Sequence, residues 1–327
     1  MIFIHGIGHF HPDNIIDNQF LTDLNIDTND TWIMERVGIR ERRTVLSLDY
    51  IKDTYNKIPL TTGPHISFSD AETGAIAAKN AISHANLLPK DIGMVIGGGC
   101  LPQYSLPAVA CIVAAKLGIE APAFDINSAC STFAVHMNII NQMEESSLPD
   151  YILVVIPENM TRAINFMDRR VAVLLGDGSI ALVVSKKHKS NTYITHTTIE
   201  SNPGSYKTII VPPAGHFEQD GPVVQRFAIK KTLATIEHLR KKCNINHNQH
   251  YFIGHQANLT MLQSVCKLAS IPNEYHLYNV DQFGNCGAAG APSVLSQNWD
   301  LFKAGDQIIL VVVGAGLTWG GMVIERS

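Results

Sequence analysis

Cys130 is the residue of this sequence best placed for covalent chemistry. It follows the segment 123–127 (AFDIN), predicted as a strand, and begins a run in which Phe133, Met137 and Ile140 share one face of a helix. Unpaired N–H groups and the positive end of the helix dipole favour the thiolate there. Such a thiolate could attack a thioester carbonyl and hold the acyl group. The alternative is a small buried apolar residue, which is how we interpret the other five cysteines.

Two hydrogen-bonding residues in the second half of the chain could complete such a site. His255 follows the apolar run 251–254 (YFIG), so its imidazole could point into a pocket at the end of a strand. Asn285 lies in a turn of small residues, 284–287 (GNCG), which a ligand can approach closely. The simpler interpretations are a solvent-facing histidine, one of fourteen, and an ordinary turn.

A cysteine with two neutral hydrogen-bonding partners suits acyl transfer. The partners can polarise a thioester carbonyl and stabilise an enolate as it forms. The same residue types also serve papain-like hydrolases. A hydrolase of that kind is disfavoured here, because a glutamine upstream of the cysteine and aromatic residues beside it do not occur in the expected pattern.

Short apolar runs must position these residues. Each run is apolar throughout, as strands buried on both faces are, and helix-period segments separate them. The segment Ser69–Glu72 has the S-x-x-E form of a helix capping box. The pattern predicts an α/β fold with buried strands at 94–99, 151–156, 251–254 and 308–314.

The two halves of the chain share one spacing. Gly98 and Cys130 are 32 positions apart, Gly254 and Asn285 are 31 apart, and a glycine hairpin is predicted near the end of each half, at 176–179 and 314–320. A diverged duplication produces such spacing, although ordinary α/β elements can also match by coincidence. A duplication would bring Cys130, Asn285 and His255 together at the carboxyl edges of the strands. We predict an N-terminal half at 1–185 that carries the nucleophile Cys130. A crossing segment at 186–222 leads to a C-terminal half at 223–327, which carries His255 and Asn285.

The composition excludes several classes of function. The 327 residues carry 25 Lys and Arg against 29 Asp and Glu, so no overall basic field exists for nucleic acid or an anionic membrane. The N-terminus lacks the features of a secretory signal, and apolar runs fall short of the roughly 20 residues of a membrane helix. The six cysteines include no CxxC pair, and no GxxxxGK[ST] phosphate loop is present. We therefore expect a cytoplasmic protein with reduced thiols and no metal site.

One basic cluster could bind a nucleotide. Trp32 lies four residues before Arg36, which begins a run of arginines, and Arg169 and Arg170 form a second group. Aromatic rings stack on bases and guanidinium groups bind phosphates. The alternative is a solvated surface.

Six motifs in order resemble β-ketoacyl-acyl carrier protein synthase III and its relatives in the thiolase superfamily, along nearly the whole chain. The resemblance implies a five-layered αβαβα fold with two duplicated halves. The motifs are 32–42 (WIMERVGIRER), 125–133 (DINSACSTF), 175–178 (LGDG), 254–258 (GHQAN), 284–285 (GN) and 316–320 (GLTWG).

The resemblance also implies a reaction and a set of partners. Cys130 would take an acyl group from an acyl-coenzyme A, while His255 and Asn285 would hold the carbonyl of a malonyl thioester as it loses CO2. The resulting carbanion would attack the acyl-enzyme. The malonyl group would come from malonyl-acyl carrier protein or malonyl-coenzyme A, and no cofactor beyond these thioesters is implied.

The resemblance assigns five further residues to substrate binding. Trp32, Arg36 and Arg169 would contact the nucleotide end of coenzyme A. Asn258 would face the pantetheine channel. Leu106 would lie on a loop that lines the acyl pocket of the partner subunit in a homodimer.

Some positions depart from the family pattern. Cys286 and Gly287 replace the usual Thr-Ser after Asn285, which puts a second sulfur beside the site, and 127–131 (NSACS) is more polar than usual. These departures leave several functions open: fatty-acid initiation, polyketide-like or other specialised metabolism, acyl transfer to another β-keto acid, oxygen or nitrogen, and thioester hydrolysis. A catalytically dead acyl-thioester binding subunit is disfavoured, because Cys130, His255 and Asn285 are all present.

Overall fold

A nine-stranded mixed sheet organises the protein. The computed structural model describes residues 1–213, 215–246 and 249–327. Within these residues the strands lie in the order β11-β12-β13-β8-β1-β7-β6-β4-β5. Their bounds are β1 Ile2–Phe10, β4 Met94–Gly97, β5 Ala123–Asp125, β6 Ile152–Asn159, β7 Asp177–Ser185, β8 Thr192–Ser201, β11 Tyr251–Gly254, β12 Gln307–Gly314 and β13 Thr318–Arg326; short pairs are formed by β2 Asn14–Asp17 with β3 Glu41–Thr44, and by β9 Ile209–Ile210 with β10 Glu218–Gln219.

Helices cover the sheet and connect its strands. The predicted capping box begins α4: the Ser69 amide donates to Glu72 Oε2 at 2.9 Å, and the Glu72 amide donates to Ser69 Oγ at 3.3 Å. No helix in the described part of the chain is long and apolar enough to cross a membrane. The helices are α1 Asn18–Asp23, α2 Asp30–Arg36, α3 Leu48–Thr54, α4 Asp70–His84, α5 Val109–Leu117, α6 Thr132–Gln142, α7 Arg169–Ala172, α8 Gly221–Cys243, α9 Leu259–Leu268, α10 Val280–Phe283 and α11 Gly290–Gln297.

The strand pairings confirm the predicted duplication. In the first half β4 pairs in parallel with β6, β6 pairs antiparallel with β7, and β7 pairs antiparallel with β1. In the second half β11 pairs in parallel with β12, β12 pairs antiparallel with β13, and β13 pairs antiparallel with β8. In the first half, β5 pairs in parallel with the outer edge of β4. At the equivalent place in the second half, a single parallel bridge joins Phe252 of β11 to His276. The half-sheets meet where β1 pairs with β8, at Ile2 with Ile194 and Phe3 with Tyr193.

Three apolar clusters separate five layers. Helices α4 and α5 pack on one face of the first half-sheet, and α8 and α9 pack on one face of the second. Helices α6 and α11 fill the space between the half-sheets, where Phe133 and Val294 are fully buried. The order of layers is therefore αβαβα, as the motifs predicted.

Two local predictions need correction. The segment 186–222, predicted as a crossing, contains β8, so the sheet of the second half begins before the boundary predicted at residue 223. The sequence of β8 (TYITHTTIES) mixes polar with apolar residues and lacks the apolar run used to predict strands.

The hairpin predicted at 176–179 does not form. The Gly176 amide donates to the Asn285 carbonyl at 3.1 Å, and β7 begins at Asp177.

Candidate active site

A tight turn presents Cys130 at the junction between β5 and α6. Ala129 adopts a left-handed backbone conformation (φ 46°), and Cys130 lies in the short 3-10 turn that leads directly into α6. The Ser131 amide donates to the Ser128 carbonyl at 3.0 Å and the two hydroxyls lie 2.9 Å apart, which fixes the turn. The prediction that Cys130 stands at a strand-to-helix junction is confirmed.

The cleft next to this turn brings the three predicted residues together. Cys130, His255 and Asn285 all line one cavity of about 440 Å³. His255 directly follows β11, and Asn285 is held against the first half because its amide donates to the Leu174 carbonyl at 2.8 Å. Gly314, at the end of β12, approaches so closely that a Cβ there would lie 3.1 Å from the Cys130 nitrogen.

Two side chains favour the thiolate form of Cys130. A hydrogen bond with the Cys100 thiol lowers the pKa of Cys130, as do a hydrogen bond with His255 and its charge; burial acts in the opposite direction, and the net pKa is well below the ordinary value. The sulfurs of Cys100 and Cys130 are 3.7 Å apart. The same pairing and burial raise the pKa of Cys100, so Cys130 ionises more readily than Cys100. This difference favours Cys130 as the attacking sulfur, the role predicted for it from the sequence.

Glu158 accepts hydrogen bonds from backbone amides on both sides of the site. It lies fully buried near the end of β6, and both of its oxygens accept from the Cys100 amide, at 3.0 and 2.9 Å. Its Oε1 also accepts from the Ala288 amide at 2.9 Å, in the turn that follows Asn285. Glu158 was not predicted as a site residue, although a glutamate two residues after the apolar run 151–156 was a usable signal.

Burial makes Glu158 a source of pH-dependent stability. Burial raises the pKa of Glu158 from 4.5 to about 8. Between pH 4.5 and about 8 the folded protein therefore holds a proton that the unfolded chain releases. We expect the free energy of unfolding to fall, by on the order of a few kcal/mol, as the pH rises through this window. Glu158→Gln keeps Oε1 as an acceptor and removes the titration, so its urea-unfolding free energy should depend less steeply on pH.

A matched variant controls this measurement. Glu145 is exposed, and Glu145→Gln should retain the pH dependence of the wild type. Asp70 and Asp177, whose pKa values burial raises to about 6, titrate in all three proteins and cancel in the comparison. Equal slopes for Glu158→Gln and the wild type would contradict the assignment.

The residues predicted to bind the nucleotide and the pantetheine of coenzyme A lie in or next to the cleft. Trp32, Arg36 and Asn258 line the cleft, and the Arg36 guanidinium lies 4.6 Å from the centre of the Trp32 ring. The Arg169 guanidinium covers the same ring at 4.8 Å and pairs with Asp27 at 2.6 Å. Asn258 also caps α9, because its side chain accepts from the Met261 amide at 2.8 Å.

Two predicted residues stand apart from the cleft wall. The first is Arg169, which does not line the cleft. Its neighbour Arg170 does, and Arg170 forms an ion pair with Asp168 at 2.7 Å. Leu106 lies outside the cleft, in the loop before α5, and is 81% exposed. Its predicted place in the pocket of a partner subunit stays a prediction.

The sulfur in contact with Cys130 belongs to Cys100, at 3.7 Å, whereas Cys286 adjoins the site through its neighbour Asn285. Cys286 is buried, its thiol donates to the Phe283 carbonyl at 3.4 Å, and a Cβ on Gly178 would lie 3.3 Å from its sulfur. Cys100 was interpreted as an ordinary apolar cysteine. Its signal was its place after 97–99 (GGG), at a strand end equivalent to that of His255. In the described part of the chain no group of three His, Cys, Asp or Glu side chains could hold a metal ion.

Comparisons with known proteins agree with the fold and with the motifs. The family model described as 3-oxoacyl-[acyl-carrier-protein (ACP)] synthase III matches residues 124–203, around Cys130, and its C-terminal counterpart matches 235–326, which contain His255 and Asn285. The chain is 34% identical to a β-ketoacyl-[acyl-carrier-protein] synthase III of Caldanaerobacter subterraneus, with 99% of this chain and 97% of the relative covered. It is 32% identical to the protein of the same name from Clostridioides difficile, with 98% and 97% covered.

A solved structure matches over the full length. The crystal structure of 3-oxoacyl-[acyl-carrier-protein] synthase III from Aquifex aeolicus superposes with a TM-score of 0.89 at 27% identity, and all of both chains is covered. The family models, the identities and the shared fold all select one group of condensing acyltransferases. This chain therefore belongs to the 3-oxoacyl-[acyl-carrier-protein] synthase III family.

Proposed function

We propose that this protein condenses a Cys130-bound acyl group, taken from an acyl-coenzyme A, with a malonyl thioester to give a β-ketoacyl thioester and CO2. The observation that carries this proposal is the convergence of Cys130, His255 and Asn285 on one cleft, with a thiol whose pKa is lowered. The names of the relatives support an acyl carrier protein as the carrier of the malonyl group. The two half-reactions need no cofactor beyond these thioesters.

The first half-reaction loads the acyl group. The Cys130 thiolate attacks the thioester carbonyl of the acyl-coenzyme A, a new carbon–sulfur bond forms, and the bond to coenzyme A breaks. Coenzyme A leaves as its thiolate. Burial of Cys130 in the cleft limits access of bulk water to the acyl-enzyme, which disfavours hydrolysis.

The second half-reaction forms the carbon–carbon bond. His255 and Asn285 donate hydrogen bonds to the carbonyl oxygen of the malonyl thioester, where negative charge develops as the bond to the carboxylate breaks. The carboxylate leaves as CO2, and the electron pair of the broken bond stays on the thioester as an enolate. The enolate carbon then attacks the carbonyl of the acyl group on Cys130. The carbon–sulfur bond then breaks, and Cys130 returns to the thiolate.

A defined mixture tests the function directly. The protein is incubated with a panel of acyl-coenzyme A donors and either malonyl-acyl carrier protein or malonyl-coenzyme A, and the products are followed by mass spectrometry and CO2 release. We expect acylation of the protein followed by a β-ketoacyl product on one malonyl carrier. Free acid and coenzyme A without consumption of malonyl thioester would identify a hydrolase, and an acyl product without CO2 release would identify simple acyl transfer. Either result would overturn the proposal.

Arg36 should bind the phosphates of coenzyme A. Loss of one guanidinium–phosphate interaction costs about 1.4 kcal/mol, so Arg36→Ala should raise the KM for acyl-coenzyme A about 10-fold. The maximal rate should change little, because Arg36 lies at the mouth of the cleft and not at the reacting sulfur. Steady-state kinetics with varied acyl-coenzyme A measure both quantities.

Two controls make this measurement specific. Arg326 also lies over a tryptophan, 5.3 Å from the ring centre of Trp299, but outside the cleft, so Arg326→Ala should keep the wild-type KM. An acyl-pantetheine donor lacks the nucleotide and should react equally with the wild type and Arg36→Ala. A defect of Arg36→Ala that persists with acyl-pantetheine would contradict the assignment.

The proposed assembly is a homodimer in the cytoplasm. Leu106 is a large apolar side chain in an exposed loop, and burial against a second subunit would remove it from water. By the family resemblance this side chain would line the acyl pocket of the partner. Light scattering should give twice the chain mass of 35.8 kDa; a monomer with full activity would contradict this arrangement.

A further inference from the structure

Cys100 and Cys130 form a close pair of thiols in the core of the site. Cys100 follows β4 and Cys130 follows β5, and these two strands are parallel neighbours in the sheet. Their carboxyl ends therefore meet at the same edge, and the two sulfurs lie 3.7 Å apart. Both cysteines are free.

The backbone holds both members of the pair in place. Glu158 binds the Cys100 amide with both oxygens, and Gly99 adopts a φ of 154°, a conformation that favours glycine. A Cβ on Gly287 would lie 3.0 Å from the Cys100 sulfur, so the residue after Cys286 must be small for Cys100 to fit. The turn around Cys130 is fixed by its own serines, as described above. The backbone of the fold therefore places the two cysteines where their sulfurs can meet.

The two thiols differ in reactivity as an oxidation site requires. Cys130 has the lower pKa and reaches solvent through the cleft, so its thiolate is the sulfur that reacts with an oxidant. Cys100 has the higher pKa and keeps its proton beside it. An activated thiolate next to a second thiol is the arrangement of a sensor cysteine with its resolving cysteine.

We propose that a peroxide oxidises Cys130 and that Cys100 then closes a reversible Cys100–Cys130 disulfide, which makes this pair a redox modification site. In the first step the Cys130 thiolate attacks one peroxide oxygen, the O–O bond breaks, and the leaving hydroxide takes a proton from solvent to form water. Cys130 becomes a sulfenic acid and the peroxide is reduced. In the second step the Cys100 sulfur attacks the Cys130 sulfur, the S–O bond breaks, and hydroxide leaves.

Glu158 is placed to carry the proton in the second step. A Cβ on Gly287 would lie 2.7 Å from Glu158 Oε1 as well as 3.0 Å from the Cys100 sulfur, so the carboxyl and the thiol face the same point. A carboxyl group whose pKa burial raises to about 8 exchanges protons readily near neutral pH. Glu158, which burial keeps protonated near neutral pH, gives its proton to the leaving hydroxide, which becomes a second water, and the proton of the Cys100 thiol then restores the carboxyl group.

The disulfide removes the nucleophile and also protects it. Closing the bond brings the sulfurs from 3.7 Å to about 2.05 Å, a change that side-chain rotation can supply. Cys130 can then neither load an acyl group nor proceed to the sulfinic acid, which thiols do not reverse. An acyl group already on Cys130 should block the oxidation.

Mass spectrometry of the intact protein tests this proposal. Wild-type protein treated with hydrogen peroxide should lose the mass of two hydrogen atoms, lose acyl loading, and recover both with dithiothreitol; peptide mapping should join the peptides of Cys100 and Cys130. Cys100→Ser should instead gain oxygen atoms at Cys130 and should not recover. Cys111→Ser, which removes an exposed thiol, should behave as the wild type. Protein preloaded from acyl-coenzyme A should resist the peroxide.

Several results would overturn the proposal. They are oxygen addition at Cys130 of the wild type without the cross-link, a cross-link from Cys130 to another cysteine, or reversible loss of loading that survives in Cys100→Ser. The peptide map of the wild type decides the matter even if Cys100→Ser folds poorly. Because the readout is a mass and a cross-link, it does not depend on condensation, so the proposed function and this proposal can fail separately.

Discussion

Cys130→Ala is expected to abolish acyl loading and to lower the rate of condensation by roughly 10³-fold or more. In the proposed reaction the Cys130 thiolate forms the covalent bond to the acyl group, and alanine offers no atom that could replace it. The cleft itself should remain, because Cys130 lies at its wall and the turn is held by the backbone and by the serines on either side. Substrate binding should therefore survive while chemistry is lost.

Intact-protein mass spectrometry after incubation with acyl-coenzyme A measures the loading. Cys111→Ala, which removes an exposed thiol, should load as the wild type does. Loading that persists in Cys130→Ala, at Cys286 or at the adjacent Cys100, would contradict the assignment of the nucleophile. Binding of acyl-coenzyme A to the variant, measured by calorimetry, shows that the cleft is intact.

His255→Ala should separate the two half-reactions. The variant should still load its acyl group, but its rate of condensation should fall by about 10²–10³-fold, because removal of one donor to a developing oxyanion has an effect of this size. His255 also helps to lower the pKa of Cys130. Loading should therefore be slower near neutral pH, yet reach the same extent as in the wild type.

Two measurements on one sample test this separation. Mass spectrometry gives the extent of loading, and release of CO2 from malonyl thioester gives the rate of the second step. Asn285→Ala should show the same pattern, since in the proposed reaction the Asn285 carboxamide donates to the same oxygen. His188→Ala, at an exposed histidine, should match the wild type in both assays. A variant at His255 that fails to load, or one that condenses normally, would rule out the proposed role.

The sequence predicted the layered architecture, through its apolar runs and family motifs, and the three residues Cys130, His255 and Asn285 that meet in the cleft. Buried strands in this fold are continuous apolar runs, so β6, β11 and β12 could be located without the structure. The equal spacing in the two halves then predicted that the strand ends bearing Cys130 and Asn285 would meet. These predictions depend on local pattern and on chain length between elements, which the sequence records directly.

The binding residues show where local pattern becomes insufficient. Trp32 and Arg36 were singled out because their types suit a nucleotide site and because the family motif contains them, and both line the cleft. Neighbouring Arg169 and Arg170 could not be distinguished by type; α7 directs Arg170 to the cleft and Arg169 to the ring of Trp32. Strand β8 was missed because its partly exposed surface allows polar residues.

Only the tertiary structure identified Cys100 and Glu158 as parts of the site. Cys100 is thirty positions from Cys130, and Glu158 is a further 28 beyond it. What brings them together is the parallel alignment of β4 with β5 and with β6. The register of those strands is set by the packing of their faces against α4, α5, α6 and α11, summed over many side chains. Residue types and spacing thus determined which groups could do chemistry, whereas the alignment of strands decided which of them touch.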